Sequence, residues 1–281
     1  MRTSLTRLDD WPASPKAAAV LVGGEIVEDR GDVEVALPWA SITKLATAVA
    51  AHRAMSEGLL GLDQLAGPPG STVRHLLAHA SGLDFDTDQV RAAPGTKRIY
   101  SNTGYEVLAE AIADGAGLPF AAWLEESVLE PLGLAATRLE GSPAAGLFGP
   151  LADLVGLAGE LQRPFAMSAE TVGAIASVAF PGLDGVLPGF GWQSPNDWGL
   201  GAEIKATKSP HWTGGRCSPA TFGHFGAAGG FVWVDPVAGV ACACLTGEPF
   251  GPWAASAWPL LADDVVAIHG SGGSAAQVDA T

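Results

Sequence analysis

The segment from Val35 to Ala51 reads VALPWASITKLATAVAA, and Lys44 is its one charged residue. Ser41 stands three positions before it. On a helix, residues three apart share a face, so the Ser41 hydroxyl and the Lys44 amine would be neighbours. Ile42, Leu45, Ala46, Ala48, Val49 and Ala51 leave hardly any polar stripe, which predicts a helix buried on most of its circumference, Lys44 included. Withdrawing an ammonium from water lowers its pKa, and a lysine depressed by several units can accept a proton. A serine beside such a base, at a helix start whose backbone N–H faces a developing oxyanion, is equipped for acyl transfer without a Ser-His-Asp triad. The four-residue pattern alone is also met by a serine that caps the helix and a lysine whose head reaches water along its stem.

Two more stretches carry chemistry. In APGTKRIYSNTGYEVLAEAI, Tyr100 precedes Asn102 by two residues, where a short extended segment meets a helix. A phenol there can relay protons and a carboxamide can hold a substrate amide or a lysine; a half-buried aromatic and a helix cap are the alternative. In FGHFGAAGGFVWVDP, His224 is expected on an edge strand followed by Gly226, Ala227 and Ala228. Small side chains would let a substrate lie along that strand and meet its backbone N–H groups. A structural histidine beside a glycine turn fits the same residues.

The elements that must position these groups follow from periodicity. Lys16 to Asp29 reads as a β-hairpin turning at Gly23-Gly24. A helix is expected from about Ser41 to Gly58, and STVRHLLAHASGL, TGYEVLAEAIADGAG, PFAAWLEESVLEPLGL and PLADLVGLAGELQRP each show helical apolar recurrence. From about Gly185 strands follow: WGLGAEIK, TFGHFGAAGGFVWVD and VAGVACACLTG, with Asp235-Pro236 turning the last two, before a closing helix in WAASAWPLLADDVVAIHG. Strands at both ends and helices between them argue for an α+β fold, an antiparallel sheet flanked by helices with an inserted all-helical subdomain. The expected organisation is one domain over residues 1–268, its α/β region at about 1–40 and 185–268, its helical region at about 41–184, and a flexible tail at 269–281.

Composition narrows the functions. The chain has 281 residues and a formal net charge of -15, with no local run of Lys or Arg, so phosphate backbones and anionic lipid surfaces are unfavourable partners. No apolar run approaches the roughly 18 residues of a membrane span, and the start MRTSLTRLDDWPASPK lacks the apolar core of a signal peptide, so a cytoplasmic protein is expected. Three cysteines, Cys217, Cys242 and Cys244, agree with a reducing compartment, and the last two alternate along one strand face as small buried hydrophobes. His75 and His79 are spaced as a metal pair, but HLLAH lacks the glutamate of H-E-x-x-H. No dinucleotide or P-loop fingerprint and no nucleophile elbow occurs. Neither a cofactor nor a metal is implied.

In their order, Ser41-Ile-Thr-Lys44, Tyr100-Ser-Asn102 and His224-Phe-Gly226 resemble the S-x-x-K, Y-x-N and [KH]-x-G motifs of the serine β-lactamase and penicillin-binding-protein superfamily. The likeness is to its class C-related branch of β-lactamases, esterases and D-aminopeptidases. HLLAHASGL, PGTKRIYSNTGYEVL, VLEPLGL and GHFGAAGGFVWVDPVAG are similar to further family segments, and the resemblance runs from about Trp39 to Thr246. It implies a β-lactamase/transpeptidase-like fold, with Ser41 as the acylated nucleophile and Lys44 and Tyr100 as the proton-transfer pair. Asn102, His224, Gly226 and Ala227 would contact substrate, and the backbone N–H groups of Ser41 and Ala227 would form the oxyanion hole.

The implied activity is a serine hydrolase acting on a small ester, amide or β-lactam, without nucleic-acid or membrane partners. A β-lactamase or D-amino-acid peptidase proper, or an inactive ligand-binding member, are the alternatives; oligomeric state is not indicated. Two departures stand out. The interval from Ser41 to Tyr100 is short for the family, and His224 replaces the lysine of true β-lactamases, so a fixed cation for a substrate carboxylate is missing unless Arg98 or Lys97 reaches across.

Overall fold

The computed structural model describes residues 3–271. The hairpin expected at the start is formed by β1 (Lys16–Val22) and β2 (Glu25–Gly31), turning at Gly23 and Gly24, both with positive φ. Strand β3 (Leu37–Pro38) leads into a 3-10 turn, Ala40–Ile42, and helix α1 (Thr43–Ser56). Then come α2 (Val73–Leu77), α3 (Asn102–Ala116), α4 (Phe120–Leu124), β4 (Arg138–Leu139), β5 (Leu147–Gly149), α5 (Leu151–Gln162) and α6 (Ala169–Ala176). The C-terminal part holds a small hairpin, β6 (Gly185–Leu187) and β7 (Gly191–Gln193), followed by β8 (Glu203–Ile204), β9 (Phe222–Phe225), β10 (Phe231–Asp235), β11 (Val240–Thr246) and α7 (Pro252–His269).

The main sheet is antiparallel, in the order β2-β1-β11-β10-β9-β8. β1 and β11, from opposite ends of the chain, pair at its centre from Lys16↔Thr246 to Val22↔Val240. Both faces of the central strands are buried, so side chains sort by the two-residue period of a strand. Ala17, Ala19, Leu21, Ala241, Ala243 and Leu245 face a core shared with α1 and α5. Ala18, Val20, Cys242 and Cys244 face a second, aromatic-rich core with Trp212, Trp233 and Trp258 under α7. The sheet built from the two ends of the chain agrees with the α+β expectation.

Local departures have physical reasons. α2 is only five residues long because His79 takes φ 53, outside the helical region, and Gly82 at φ 84 turns the chain again. A π-helical turn at Glu125–Leu129 extends α4 where one regular helix was expected. Of WGLGAEIK only Glu203 and Ile204 enter the sheet. α5, in the stretch assigned to the helical region, packs on β1, β10 and β11. The expected tail at 269–281 falls, from residue 272 on, outside the described residues, and His269 itself closes α7. No single helix among the described residues is long and apolar enough to cross a membrane.

Candidate active site

Three elements meet around Ser41: the turn before α1, the N-terminus of α3 and the end of β9. Trp39 anchors the first. Fully buried, it donates through its indole Nε1 to the Gly149 carbonyl at 3.2 Å, and its backbone N–H donates to the Leu147 carbonyl at 2.8 Å. Ala40 then adopts φ 46, a left-handed conformation that costs an alanine about 1 kcal/mol or more and sets Ser41 on a sharp turn. Backbone strain of this kind is concentrated at functional sites.

Lys44 lies one turn beyond Ser41, at the start of α1, and is wholly buried. Its Nζ donates to Asn102 Oδ1 at 2.5 Å and to the Ala144 carbonyl at 2.9 Å, and it sits 4.8 Å from the centre of the Tyr100 ring. Burial lowers its pKa to about 7, against the partial opposition of the Asp86 and Glu106 carboxylates. The lysine is therefore deprotonated in a substantial fraction of molecules at neutral pH.

Tyr100 precedes α3, whose N-cap is Ser101; the Ser101 hydroxyl accepts from Gly104 N–H at 2.9 Å. Burial raises the Tyr100 pKa above its ordinary value, the nearby Ser41 hydroxyl works against that rise, and Asp86 adds to it. The phenol is thus a neutral donor at rest. His224 Nε2 lies 3.5 Å from its oxygen. His224 Nδ1 lies 2.7 Å from the Phe225 carbonyl, which can only accept, so Nδ1 carries the hydrogen and Nε2 is left to accept from Tyr100. Burial foremost, then the Lys44 charge, depress the His224 pKa to about 3, and the imidazole is neutral.

The end of β9 departs from the expectation of an edge strand. Two-residue β8 pairs with Phe222 and Gly223, so β9 is outermost only from His224 onward. Gly226, Ala227 and Ala228 belong to a tight turn closed by Gly226 N–H to Gly230 O at 2.8 Å and Gly229 N–H to Gly226 O at 3.0 Å. A Cβ on Gly226 would stand 2.4 Å from the Trp39 carbonyl oxygen, so glycine is what lets the β9 turn dock on the Ser41 turn. Gly226 therefore positions Ala227 and does not itself line the cavity. The Ala227 N–H has no hydrogen-bond partner among the described residues.

Ser41, Tyr100, His224 and Ala227 line one cavity of about 100 Å³, together with Phe85, Leu187, Pro188, Trp198, Glu203 and Phe225. Asn102 stands behind this lining: its Oδ1 accepts from Lys44 while its Nδ2 donates to Asp86 Oδ1 at 2.7 Å. All the residues implied by the three motifs thus assemble in one place.

Arg98 does not reach across. Buried, it donates to the carbonyls of Asn196 at 3.0 Å, Ala179 at 2.7 Å, Phe180 at 3.1 Å and Ala78, and so ties together the segments under Tyr100. Lys97 stays exposed, 5.4 Å from the Trp192 ring centre. His75 and His79 do not share a helix face: His75 Nδ1 lies 2.8 Å from the Thr72 hydroxyl, and His79 Nδ1 accepts from Ser101 N–H at 3.1 Å.

Two participants were not found in the sequence. Glu203 forms part of the cavity wall, its carboxylate held by Lys208, His211 and Trp212 and lowered to about 2 by His211 and Lys208 against the effect of burial. Asp86 fixes the orientation of the Asn102 amide, but among Asp84, Asp86 and Asp88 no sequence pattern distinguishes it. Asp86→Asn keeps an oxygen for Asn102 and removes a charge that favours the Lys44 ammonium. Its acid limb in a kcat/KM against pH profile is expected about half a unit lower at low salt, the shift shrinking as salt is added.

The family model described as Beta-lactamase matches residues 16–142. A solved β-lactamase from Mycobacterium bovis is 50% identical, with a TM-score of 0.94 over 95% of this chain and 100% of that one. The D-alanyl-D-alanine-carboxypeptidase/endopeptidase AmpH of Escherichia coli K12 is 28% identical over 151 residues, 41% of this chain and 39% of that protein. The chain thus spans well under half of that relative's length. EstCE1, described as a hydrolase with promiscuous acyltransferase activity, shares the fold at a TM-score of 0.78 and 17% identity, over 94% of this chain and 96% of that one. With half its residues shared across the whole of the Mycobacterium bovis chain, and with the motif residues gathered at one cavity, the chain belongs to the serine β-lactamase and penicillin-binding-protein-like superfamily.

Proposed function

We propose that the chain is a serine hydrolase that cleaves esters or amides through an acyl-Ser41 intermediate and favours substrates without a free carboxylate. The observation that carries this reading is the buried Lys44, lowered to about pKa 7, one turn beyond Ser41 and against Tyr100. Ser41 Oγ attacks the acyl carbon as its proton passes to the neutral Lys44 amine, with the Tyr100 hydroxyl as relay. The N–H groups of Ser41 and Ala227 hold the oxyanion. The leaving group departs with a proton from the same pair, and water, activated by that pair, releases the acid.

The preference for substrates without a carboxylate rests on the cavity lining, where a neutral His224 and the Glu203 carboxylate stand and no Lys or Arg occurs. A second reading, hydrolysis of β-lactams, is favoured by the 50% identity to the Mycobacterium bovis β-lactamase. Labelling with a fluorophosphonate followed by peptide mass spectrometry is expected to place the adduct on Ser41. In steady-state assays p-nitrophenyl acetate is expected to be turned over faster than nitrocefin. A large preference for nitrocefin would favour the second reading, and a chain that no reagent acylates would be a binding protein.

A further inference from the structure

A second, larger cavity of about 430 Å³ adjoins the Ser41 cavity and shares Phe85, Tyr100 and Pro188 with it. Its own walls include Val186, Trp192, Lys97 and Asp184. Phe85, Val186 and Trp192 are 47%, 52% and 56% exposed, so three large apolar side chains open to solvent are concentrated at one rim. A cluster of that kind marks a binding groove more often than a packing defect. Phe85 stacks on Tyr100 with ring centres 5.9 Å apart, which extends an aromatic surface from the inner cavity into the outer one.

We propose that the outer cavity is a subsite for the uncharged aromatic part of the leaving alcohol of an ester, whose acyl group lies at Ser41. The inference rests on the hydrolase reading and adds to it the side on which the alcohol lies. When the acyl carbon bonds to Ser41 Oγ, its bond to the alcohol oxygen breaks, and the proton lost by Ser41 passes to that oxygen. The departing oxygen must therefore lie within reach of the Lys44 and Tyr100 pair, and Tyr100 is the wall between the cavities. The inner cavity, of about 100 Å³, has room for a short acyl chain only. Charge supports an uncharged ligand: among the described residues Lys97, over the Trp192 ring, is the outer wall's one cation without a carboxylate or carbonyl partner, set against Asp184 and an Asp84 carboxylate paired with Arg91 at 2.7 Å, while Arg98 is bound inward to carbonyls.

The test compares 2-naphthyl acetate with ethyl acetate, which share an acyl group, in wild type, Trp192→Ala and Val186→Trp. The ratio of their kcat/KM values, naphthyl over ethyl, is expected to fall about tenfold in Val186→Trp, where the cavity is filled, and several-fold in Trp192→Ala. Referring each variant to wild type cancels the better leaving ability of the naphtholate. Calorimetric titration of 2-naphthol into Ser41→Ala, with and without Val186→Trp, measures the subsite without turnover, and binding is expected to weaken about tenfold on filling. Ratios within twofold of wild type, together with unchanged naphthol binding, would overturn the subsite. If wild type hydrolyses neither ester, the hydrolase reading fails while the calorimetry still decides whether the cavity takes the aromatic group.

Discussion

Ser41→Ala is expected to lower ester turnover by about four orders of magnitude or more and to leave the thermal unfolding temperature where it was. The two effects separate because the role proposed for the hydroxyl is chemical and not one of packing. Ser41 is only half-buried, and the hydrogen bonds that hold Lys44 go to Asn102 and Ala144. Removing one oxygen therefore leaves no buried cavity and no stranded charge. Hydrolysis of p-nitrophenyl acetate and a circular-dichroism melt check both halves, and turnover at the wild-type rate would remove Ser41 from the mechanism.

Lys44→Met should lower kcat by about two to four orders of magnitude, the range for loss of a positioned acid–base group. It should also change how stability depends on pH. The wild-type amine has a pKa near 7 in the fold against 10.5 as its ordinary value. Between those values the unfolded chain holds a proton that the native state has released, so stability rises with pH across the window. Below about pH 7 both states are protonated, and the full penalty of burying an ammonium is present. Methionine has the length to fill the space without the charge, so the variant's urea midpoint is expected to lose this rise between about pH 7 and 10. Wild-type kcat/KM should climb through pH 7 as the base is freed, with no such limb in the variant's residual activity. A variant that retained both would show that the burial of Lys44 has no consequence for protonation.

The groups gathered at the cavity were legible because each is an anomaly in its surroundings. Lys44 is the one charge between Val35 and Ala51, Tyr100 is one of two tyrosines, and His224 precedes a run of small residues. Alternation along VACACLT placed Cys242 and Cys244 on one face, and both are fully buried in the aromatic core. What the sequence hid depends on tertiary contact. The β9 edge is covered by two residues from a segment that otherwise has no strand structure, and the buried ion pair of Glu203 and Lys208 beside them has no local sequence pattern to announce it. Gly226 looked like a place for substrate, but a methyl at this position would press on the Trp39 carbonyl, a clash between segments far apart in the chain. Arg98 stood as a spare cation in the sequence; only the fold shows its guanidinium committed to four carbonyls.

The pairing of β1 with β11 has a bearing on synthesis. A chain leaving the ribosome presents Ser41 and Lys44 early, yet the strand that seats the Ala227 amide cannot take its place until residues 240–246 have emerged and joined the first hairpin. Helices can form while translation continues, but the Ala227 amide, the proposed second oxyanion donor, is seated only once β11 has paired. On the proposed mechanism, Ser41 therefore lacks that donor until β11 has joined the sheet.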